Sequence, residues 1–596
     1  MSTVPDRSEI AEEHKWDLGD IFASDEEWEV AFEEAEALIE DLAAYEGRTT
    51  EDAATLREVL DAYERTMRAV SNVAAYARMR SDEDTRDQEY QALFARAQSL
   101  TSRAQSASSY IEPELQAESR ETIEAYVEEE PELGEYEHYF DDVLRMKPHT
   151  RSTEVENLLA ELGEVTGAAG EVYTMLTNAD MEFPTVEDPD GEPVEITQSN
   201  FTKLLKHPNR EFRQTVHESF YEEWATVRNA VGVAYKNSVK ADVKLAKARN
   251  YDTAREAALD GPNVPVEVYD TLVEAVRENL GTLHAHAELK RDVLGVDELE
   301  MWDLYAPLAE GESPEVPYDE AAEHVIEAVA PLGEDYQRRL AEGLESRWVD
   351  VYENAGKRAG AYSGGTYDSQ PYILLNYQDD IASMFTLAHE LGHSLHSDLT
   401  SEEQPYVYSG YEIFVAEVAS TVNEALLTHH LLETVEDERF RGHVLDEYLE
   451  RFRSTLLRQT MFAEFEHAAH ELAEEGEALT PDRLDEIYGD LKRAYYEPAR
   501  VDEHITREWM RIPHFYRAFY VYQYATGISA AVALVDRILD EGEPAAADYL
   551  RFLRSGSREY PLDLLRDAGV DMSSRDPIET ALSTYEEYVS EFARLT

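Results

Sequence analysis

The amino-acid sequence predicts a mainly α-helical protein, and three observations support this class. Apolar residues recur every three or four positions, as on an amphipathic helix, through most of the chain. Strict alternation, the pattern of a strand, is confined to two short stretches. The composition, with 43% hydrophobic and 10% aromatic residues, is that of a chain with a packed core. The first helical segments cover residues 24–45, 50–79, 84–109, 111–139 and 152–176.

The helical pattern divides the 596 residues into three regions, because a chain of this length does not form a single simple core. We expect an N-terminal helical region over residues 1–115 and a second helical lobe over 116–200. The second lobe ends in a predicted β-hairpin, since alternating apolar residues precede and follow the turn Asp188–Gly191. Helices resume in the third region, 201–596, and continue nearly to its end.

One interruption of the third region lies at residues 360–377. Gly364 and Gly365 predict a bend, and the apolar run Tyr372–Leu375 that follows has the pattern of a short strand. We expect this element to supply an edge strand, and extended peptides bind such edges through main-chain hydrogen bonds. Gly364 and Gly365 are therefore candidate peptide-binding residues. A hairpin with a purely structural role is the alternative.

The charge of the chain is strongly acidic, with a formal net charge of −74 from 127 Asp and Glu against 53 Lys and Arg. A nucleic-acid backbone needs a basic face, so this composition argues against nucleic-acid binding. Surface carboxylates would lie about 13 Å apart, whereas the screening length is about 10 Å in 0.1 M salt and about 3 Å in 1 M salt. Together with 11 lysines against 42 arginines, this predicts a salt-adapted protein of a halophilic cytoplasm.

Targeting and membrane segments are not evident in the sequence. Residues 1–20 are acidic and have no apolar stretch, unlike a secretory signal. No run of about 18 apolar residues occurs, so no membrane association is predicted. The absence of cysteine excludes a disulfide framework, a thiolate metal site and a cysteine nucleophile. We expect a cytoplasmic protein in which any metal is bound by His, Asp or Glu.

A metal-binding pattern lies in the segment SMFTLAHELGHSLHS, residues 383–397, which contains H-E-x-x-H. His389 and His393 are four residues apart, so on a helix they share a face and can bind one ion. Glu390 is then on the adjoining side, near the water that such an ion would bind, as a general base would be. Two histidines, one further ligand and a water form the open, catalytic type of zinc site. A buried helix with two satisfied core histidines is the alternative.

Two carboxylates compete for the third ligand position. Glu412 follows His393 after 18 intervening residues and Glu417 follows it after 23. They are five residues apart, about 140° around a helix, so one regular helix cannot direct both at the ion. Glu417 lies in an apolar run, where a carboxylate is costly to bury unless it binds a metal or a charge, and this favours Glu417. Glu424, on the same face, is a candidate for supporting the ligands.

A cluster of histidine and aromatic residues lies at positions 511–524. The ordinary interpretation of such a stretch is an aromatic core helix. The alternative is that some of these rings donate hydrogen bonds to a ligand. The histidine and aromatic residues of the cluster are His514, Phe515, Tyr516, Phe519, Tyr520, Tyr522 and Tyr524.

These motifs together resemble oligoendopeptidase F, a branch of the thimet-oligopeptidase-like zinc peptidases. In that family the third zinc ligand is a Glu followed three residues later by Ser, and here that pair is Glu417 and Ser420. The resemblance covers essentially the whole chain. The segments that carry it are HELGHSLHS at 389–397, FVAEVASTVNE at 414–424, GAYSGG at 360–365, PYILLNY at 371–377, WDL at 16–18 and RIPHFYRAFYVYQYATG at 511–527.

The resemblance implies an almost all-helical ellipsoid of two lobes around a deep substrate channel, with one Zn²⁺ at its floor and the small β element nearby. It implies a zinc metalloendopeptidase, with 201–596 as its catalytic domain, that cuts short unstructured peptides in intracellular turnover. Glu390 would be the general base, and His514 and Tyr520 are the best matches for donors to the substrate carbonyl. The further candidates for substrate contact in that segment are Tyr524, Tyr516 and Tyr522.

Two other functions are alternatives at this point. An exopeptidase would use the same zinc site but would require a free peptide terminus. A peptide-binding scaffold with a relict site is disfavoured, because all four residues of the metal site are intact. The predicted partners are short peptide substrates, with no nucleic acid, no membrane and no obligate protein partner.

Overall fold

The structure, a computed structural model, describes residues 4–309, 311 and 313–595. It confirms the prediction of a mainly helical fold with small β elements. The helices of residues 25–294 are α1 (Asp25–Ala43), α2 (Ala53–Glu83), α3 (Gln88–Ser108), α4 (Ile111–Ala117), α5 (Arg120–Glu129), α6 (Glu137–Arg145), α7 (Thr153–Glu161), α8 (Gly163–Met175), α9 (Phe201–Leu205), α10 (Arg210–Ala248), α11 (Ala254–Asp260), α12 (Val266–Glu278) and α13 (Leu280–Leu294).

The remaining helices include the two that carry the metal-binding pattern, α16 and α17. They are α14 (Tyr318–Ala328), α15 (Glu334–Glu345), α16 (Ile381–Glu403), α17 (Ile413–Thr434), α18 (Glu438–Arg451), α19 (Arg458–Glu475), α20 (Pro481–Tyr495), α21 (Tyr522–Glu541), α22 (Glu543–Leu553), α23 (Pro561–Asp567) and α24 (Asp576–Leu595). The strands are β1 (Thr185–Glu187), β2 (Pro193–Glu195), β3 (Leu299–Glu300), β4 (Val349–Tyr352), β5 (Tyr362–Gly364), β6 (Tyr372–Tyr377) and β7 (Ala499–Arg500).

Side-chain caps explain where several helices begin. The Asp52 carboxylate accepts the backbone N–H of Thr55 at the start of α2. The Asp380 carboxylate accepts the N–H of Ser383 in the same way at the start of α16. Each cap satisfies one of the N–H groups that a helix start leaves unpaired. Helix α16 therefore begins at a position that its own sequence specifies.

The chain folds as two compact units, each built from three separate segments. The first comprises Met1–Pro148, Glu315–Leu431 and Leu534–Gly569. The second comprises His149–Pro314, Leu432–Ala533 and Val570–Thr596. The division of the chain into the regions 1–115, 116–200 and 201–596 stays a prediction.

The second unit contains the predicted hairpin. Strands β1 and β2 pair antiparallel with Val186 opposite Val194. The turn that joins them contains Gly191 at φ +83°, a left-handed conformation that glycine adopts without strain. The alternation of apolar residues on either side of the turn therefore predicted this element correctly.

The first unit contains a three-stranded sheet in the order β4-β6-β5, with β4 parallel and β5 antiparallel to β6. The sequence suggested Tyr372–Leu375 as an edge strand, and this is wrong. Those residues form the centre of the sheet, within β6, and are buried. The edge strands are β4 and β5, and β5 begins at Tyr362 and ends at Gly364. The apolar run is central because it packs on α16 and on the N-terminal core.

The N-terminal segment packs against that sheet. Trp16 and Leu18 belong to the same buried cluster as Tyr372 and Leu374 of β6. Arg7 donates to the buried Asp350 of β4, with 2.6 Å between Nη2 and Oδ2. This ion pair holds the first residues of the chain against the sheet that packs on α16. Within the described ranges, no helix combines the length and hydropathy that a bilayer crossing requires.

Candidate metal centre

The H-E-x-x-H pattern lies in the middle of α16. His389 and His393 are one helical turn apart, and their Nε2 atoms are 3.2 Å from each other. The apolar residues that surround the motif, among them Leu387 and Leu391, are buried. The helix therefore presents both imidazoles on one face while its other faces pack in the core.

Glu417 on α17 completes a group of three ligand atoms. Its Oε2 lies 3.6 Å from His389 Nε2 and 3.9 Å from His393 Nε2. One donor atom from each of the three residues lies within 4.8 Å of the other two. Glu412 is not part of this group: it precedes α17, where its backbone carbonyl accepts the N–H of Val415.

The outer nitrogen of each imidazole has its own partner. His389 Nδ1 lies 2.6 Å from Oε1 of the buried Glu424. The His393 ring hydrogen-bonds the backbone carbonyl of Ala416. A histidine whose Nδ1 donates in this way presents the lone pair of Nε2, the arrangement typical of metal-binding histidines. The sequence analysis predicted a supporting role for Glu424 but not for the carbonyl group of Ala416.

The donor set fits a bound cation. The two Nε2 atoms and Glu417 Oε2 face one another within 3.9 Å, an arrangement that a bound cation would stabilise. Burial, and then the neighbouring His389 and His396, lower the pKa of His393 to about 3. His393 is therefore neutral at physiological pH, the state in which imidazole binds a metal. Two nitrogens and one oxygen suit zinc.

Gly392 allows α16 and α17 to approach each other closely. A Cβ atom at this position would lie 2.6 Å from the carbonyl oxygen of Ala419 and 2.6 Å from Cα of Ser420. Both distances are far below van der Waals contact. Glu417 can reach the two histidines because no side chain separates the helices here. A glycine inside a helix costs stability relative to alanine, so its presence in the middle of α16 was the signal that sequence reasoning passed over.

Glu390 faces the edge strand β5. The backbone N–H of Ser363 in that strand donates to its carboxylate. A second contact joins the same elements, 2.8 Å between the hydroxyl oxygens of Ser363 and Ser394. Burial, partly offset by His389, raises the pKa of Glu390 to about 7. The partner in β5 was missed from sequence, although GAYSGG at 360–365 belongs to the recognised motifs.

Gly364 and Gly365 lie at the end of β5 and just beyond it. Gly364 pairs with Tyr372 of the central strand. Gly365 has φ +140°, and a Cβ there would lie 3.0 Å from the carbonyl oxygen of Gln370, so both conformation and space require glycine. Among the described residues, β5 has a strand partner on one side only. Its other edge has the geometry that binds an extended chain.

The C-terminal candidates lie in the second unit. The rings of His514 and Tyr520 are parallel with centroids 6.1 Å apart, and Tyr524 lies 6.0 Å from His514 and 5.6 Å from Tyr520. The structure thus brings these three polar rings together. Tyr516 stacks on Tyr173 at 4.5 Å instead. Burial, then Arg517 and Arg458, lower the pKa of His514, so its ring is neutral.

Tyr522, the remaining candidate, is fully inside the core and its ring lies 5.2 Å from that of Tyr269. Tyr520 precedes α21 and Tyr522 is the first residue of that helix. Helical spacing therefore could not have separated these tyrosines before the structure was known.

Comparisons with known proteins cover nearly the whole chain. The model of Peptidase family M3 matches residues 203–584, and that of Oligopeptidase F matches 114–183. Oligopeptidase PepF of Bacillus subtilis is 45% identical over 99% of this chain and 88% of its own length. Group B oligopeptidase PepB of Streptococcus agalactiae is 40% identical over 99% of this chain and 98% of its own.

Solved structures agree with these sequence similarities. The crystal structure of oligoendopeptidase-F from Enterococcus faecium is 36% identical, covers 96% of this chain and 99% of that chain, and has a TM-score of 0.75. A crystal structure of a Chlamydophila abortus protein is 31% identical, covers all of both chains and has a TM-score of 0.90. The similarity therefore extends to the fold of the whole chain.

Proposed function

Because the chain belongs to peptidase family M3, we propose that this metallopeptidase is a zinc-dependent endopeptidase that cuts internal bonds of short, unstructured peptides. The family resemblance inferred from the motifs is confirmed. The observation that carries the finer proposal is the group of His389, His393 and Glu417, whose donor atoms lie within 4.8 Å of one another.

These three residues would hold one zinc ion per chain. When bound, zinc would act as a Lewis acid on the scissile carbonyl and lower the pKa of a water molecule. Glu424 would keep the His389 ring in the orientation and tautomer that the ion needs, and the carbonyl of Ala416 would do the same for His393.

Glu390 would move the proton in the reaction. Its carboxylate takes a proton from the attacking water and delivers it to the nitrogen of the leaving amine, so the residue acts first as base and then as acid. The N–H of Ser363 holds one side of the carboxylate. A base with a pKa near 7 is suited to both steps, although a bound cation would lower that value.

His514 and Tyr520 would donate hydrogen bonds to the carbonyl oxygen as it gains negative charge. This assignment rests on the family resemblance of the segment at 511–527 and on the close grouping of the rings. Removing one such donor lowers kcat about 10²- to 10³-fold in comparable enzymes. Tyr524 and the main chain at Gly364 and Gly365 are proposed to contact the peptide.

The experiment that tests the endopeptidase proposal uses a ten-residue peptide blocked at both ends. It is incubated in about 2 M KCl, which screens the acidic surface, with and without a chelator and with zinc added back. We expect internal cuts that vanish with chelator and return with zinc. Trimming of an unblocked peptide alone would identify an exopeptidase and overturn the proposal.

Glu390→Gln tests the proton transfer separately from metal binding. The amide keeps the shape of the side chain but cannot accept the proton. We expect the variant to bind zinc as the parent does and to lose at least about 10²-fold in kcat. Activity within about 3-fold of the parent, with zinc bound, would remove Glu390 from the mechanism.

We also propose that the protein turns over peptides in a high-salt cytoplasm. The net charge of −74 and the scarcity of lysine support this. Repulsion among carboxylates falls as the screening length shrinks, so thermal stability should rise between about 0.1 M and 2 M KCl. Equal melting temperatures at the two KCl concentrations would refute the proposed salt adaptation. They would leave the proposed peptidase mechanism unaffected.

A further inference from the structure

A buried carboxyl group contacts the segment that carries His514 and Tyr520. Glu466 lies in the middle of α19 and has no exposed surface. Its Oε1 accepts the backbone N–H of Phe519, with 2.7 Å between the two atoms. Its Oε2 has no hydrogen-bond partner among the described residues. Burying a carboxyl group in an apolar core costs free energy of folding. A buried carboxyl group with one specific contact therefore indicates a function for that contact.

The surroundings of Glu466 favour the neutral acid. Burial raises its pKa to about 8, although the nearby His470 opposes the rise. The other titratable groups that face it are Asp242 and Tyr235 of α10 and Tyr269 of α12. A protonated carboxyl still has a carbonyl oxygen that accepts the Phe519 N–H, so the hydrogen bond does not require charge.

Phe519 has an unusual backbone. Its φ is +54°, the left-handed region, which is sterically unfavourable for an aromatic residue. The residue is also buried, and its ring lies 4.6 Å from that of His470. A left-handed phenylalanine persists only where the surroundings hold it. The hydrogen bond from its N–H to Glu466 is a direct restraint of this kind.

The turn at Phe519 determines where the polar rings point. It lies between the short 3₁₀ turn Pro513–Tyr516 and the start of α21 at Tyr522. Tyr520 follows immediately, so the direction of its Cα–Cβ bond depends on the backbone of Phe519. A relaxed turn would move the Tyr520 ring away from its parallel arrangement with His514 at 6.1 Å.

We propose that Glu466 is a positioning residue, which holds the left-handed turn at Phe519 and thereby sets the orientation of Tyr520 toward a bound peptide. The proposal rests on the donor roles proposed above for His514 and Tyr520. Glu466 itself touches no reacting atom. Its removal should therefore lower kcat with little change in KM and no change in zinc binding, since the metal ligands lie in the other unit.

Two substitutions test the hydrogen bond. Glu466→Gln keeps an oxygen acceptor for the Phe519 N–H, and we expect kcat within about 3-fold of the parent. Glu466→Leu fills the same space without an acceptor, and we expect kcat to fall about 30-fold with KM within about 3-fold. Glu464→Leu is the matched control, since Glu464 lies on the same helix but pairs with Arg277. An unchanged kcat in Glu466→Leu overturns the proposal.

Two readouts separate positioning from general destabilisation. Amide hydrogen exchange of residues 517–521 should accelerate in Glu466→Leu and not in the Glu464→Leu control. The double variant Glu466→Leu/Tyr520→Phe should have a kcat only slightly below that of the worse single variant. Both substitutions act on the same donor, the hydroxyl group of Tyr520, so their losses should not multiply. Multiplying losses, or unchanged exchange at 517–521, would show that Glu466 does not act through Tyr520.

A smaller substitution provides a test if Glu466→Leu does not fold. Glu466→Ala also removes the acceptor of the Phe519 N–H, and we expect a similar fall in kcat and faster amide exchange at 517–521. Unchanged kcat and unchanged exchange in this variant would overturn the proposal. Full activity of Tyr520→Phe would instead refute the donor role of Tyr520.

Discussion

The close approach of α16 and α17 makes a sharp prediction for Gly392→Ala. The added Cβ would lie 2.6 Å from the Ala419 carbonyl oxygen and from Cα of Ser420. Ordinary contact needs about 3.5 Å, so the helices must separate by about 1 Å. Both opposing atoms are backbone, which cannot rotate out of the way as a flexible side chain would.

That displacement acts directly on the proposed metal ligands. His389 and His393 lie on α16, whereas Glu417 lies on α17, so the separation changes distances that are now 3.6 and 3.9 Å between Glu417 Oε2 and the two Nε2 atoms. Metal–ligand distances tolerate only about 0.2 Å. We expect zinc affinity to fall at least about 10-fold, with an overpacking cost of about 1–3 kcal/mol in stability.

The assay is a competition between the protein and a chelator for zinc, followed by kcat at saturating zinc. Gly442→Ala is the matched control, because Gly442 also lies inside a helix but a Cβ there would meet no atom within 4 Å. The control should keep its zinc affinity. If Gly392→Ala binds zinc as tightly as the parent and turns over normally, the close approach does not determine the geometry of the site.

Four further substitutions test the site and the ion pair of Arg7. Glu417→Gln should weaken zinc binding at least about 10-fold in the same competition, whereas Glu412→Gln should not, and equal effects would refute the choice of ligand. Glu424→Gln should weaken it about 10-fold by removing the charged partner of His389, and unchanged affinity would contradict that role. Arg7→Met should cost about 3 kcal/mol at pH 7, measured by thermal unfolding in KCl, because it strips a buried carboxylate of its strongest partner. Burial opposes the effect, but Arg7 and Lys357 lower the pKa of that carboxylate, Asp350. The stability it contributes is therefore present above pH about 4 and is lost as the pH falls through the lowered pKa, so Arg7→Met and the parent should converge in acid. A constant difference down to low pH would refute the ion pair as its source.

The sequence by itself determined the features that depend on near neighbours along the chain. Helical periodicity predicted a mainly helical protein because a helix buries one stripe of residues whatever it packs against. The four-residue spacing of His389 and His393 placed both rings on one face for the same local reason. The apolar run around Glu417 favoured it over Glu412, and the structure brings Glu417 to the two histidines.

Only the tertiary structure decided which groups from distant segments meet. The Ser363 N–H reaches Glu390 from the edge strand β5. The sequence analysis had predicted Tyr372–Leu375 as the edge strand. Those residues instead form the buried centre of the sheet, because they are the more apolar. Phe519 adopts a left-handed turn that its own residue type disfavours, and the carboxyl group of Glu466 contacts it from another helix. Such contacts depend on how helices pack, and packing is a property of the whole core rather than of any local pattern.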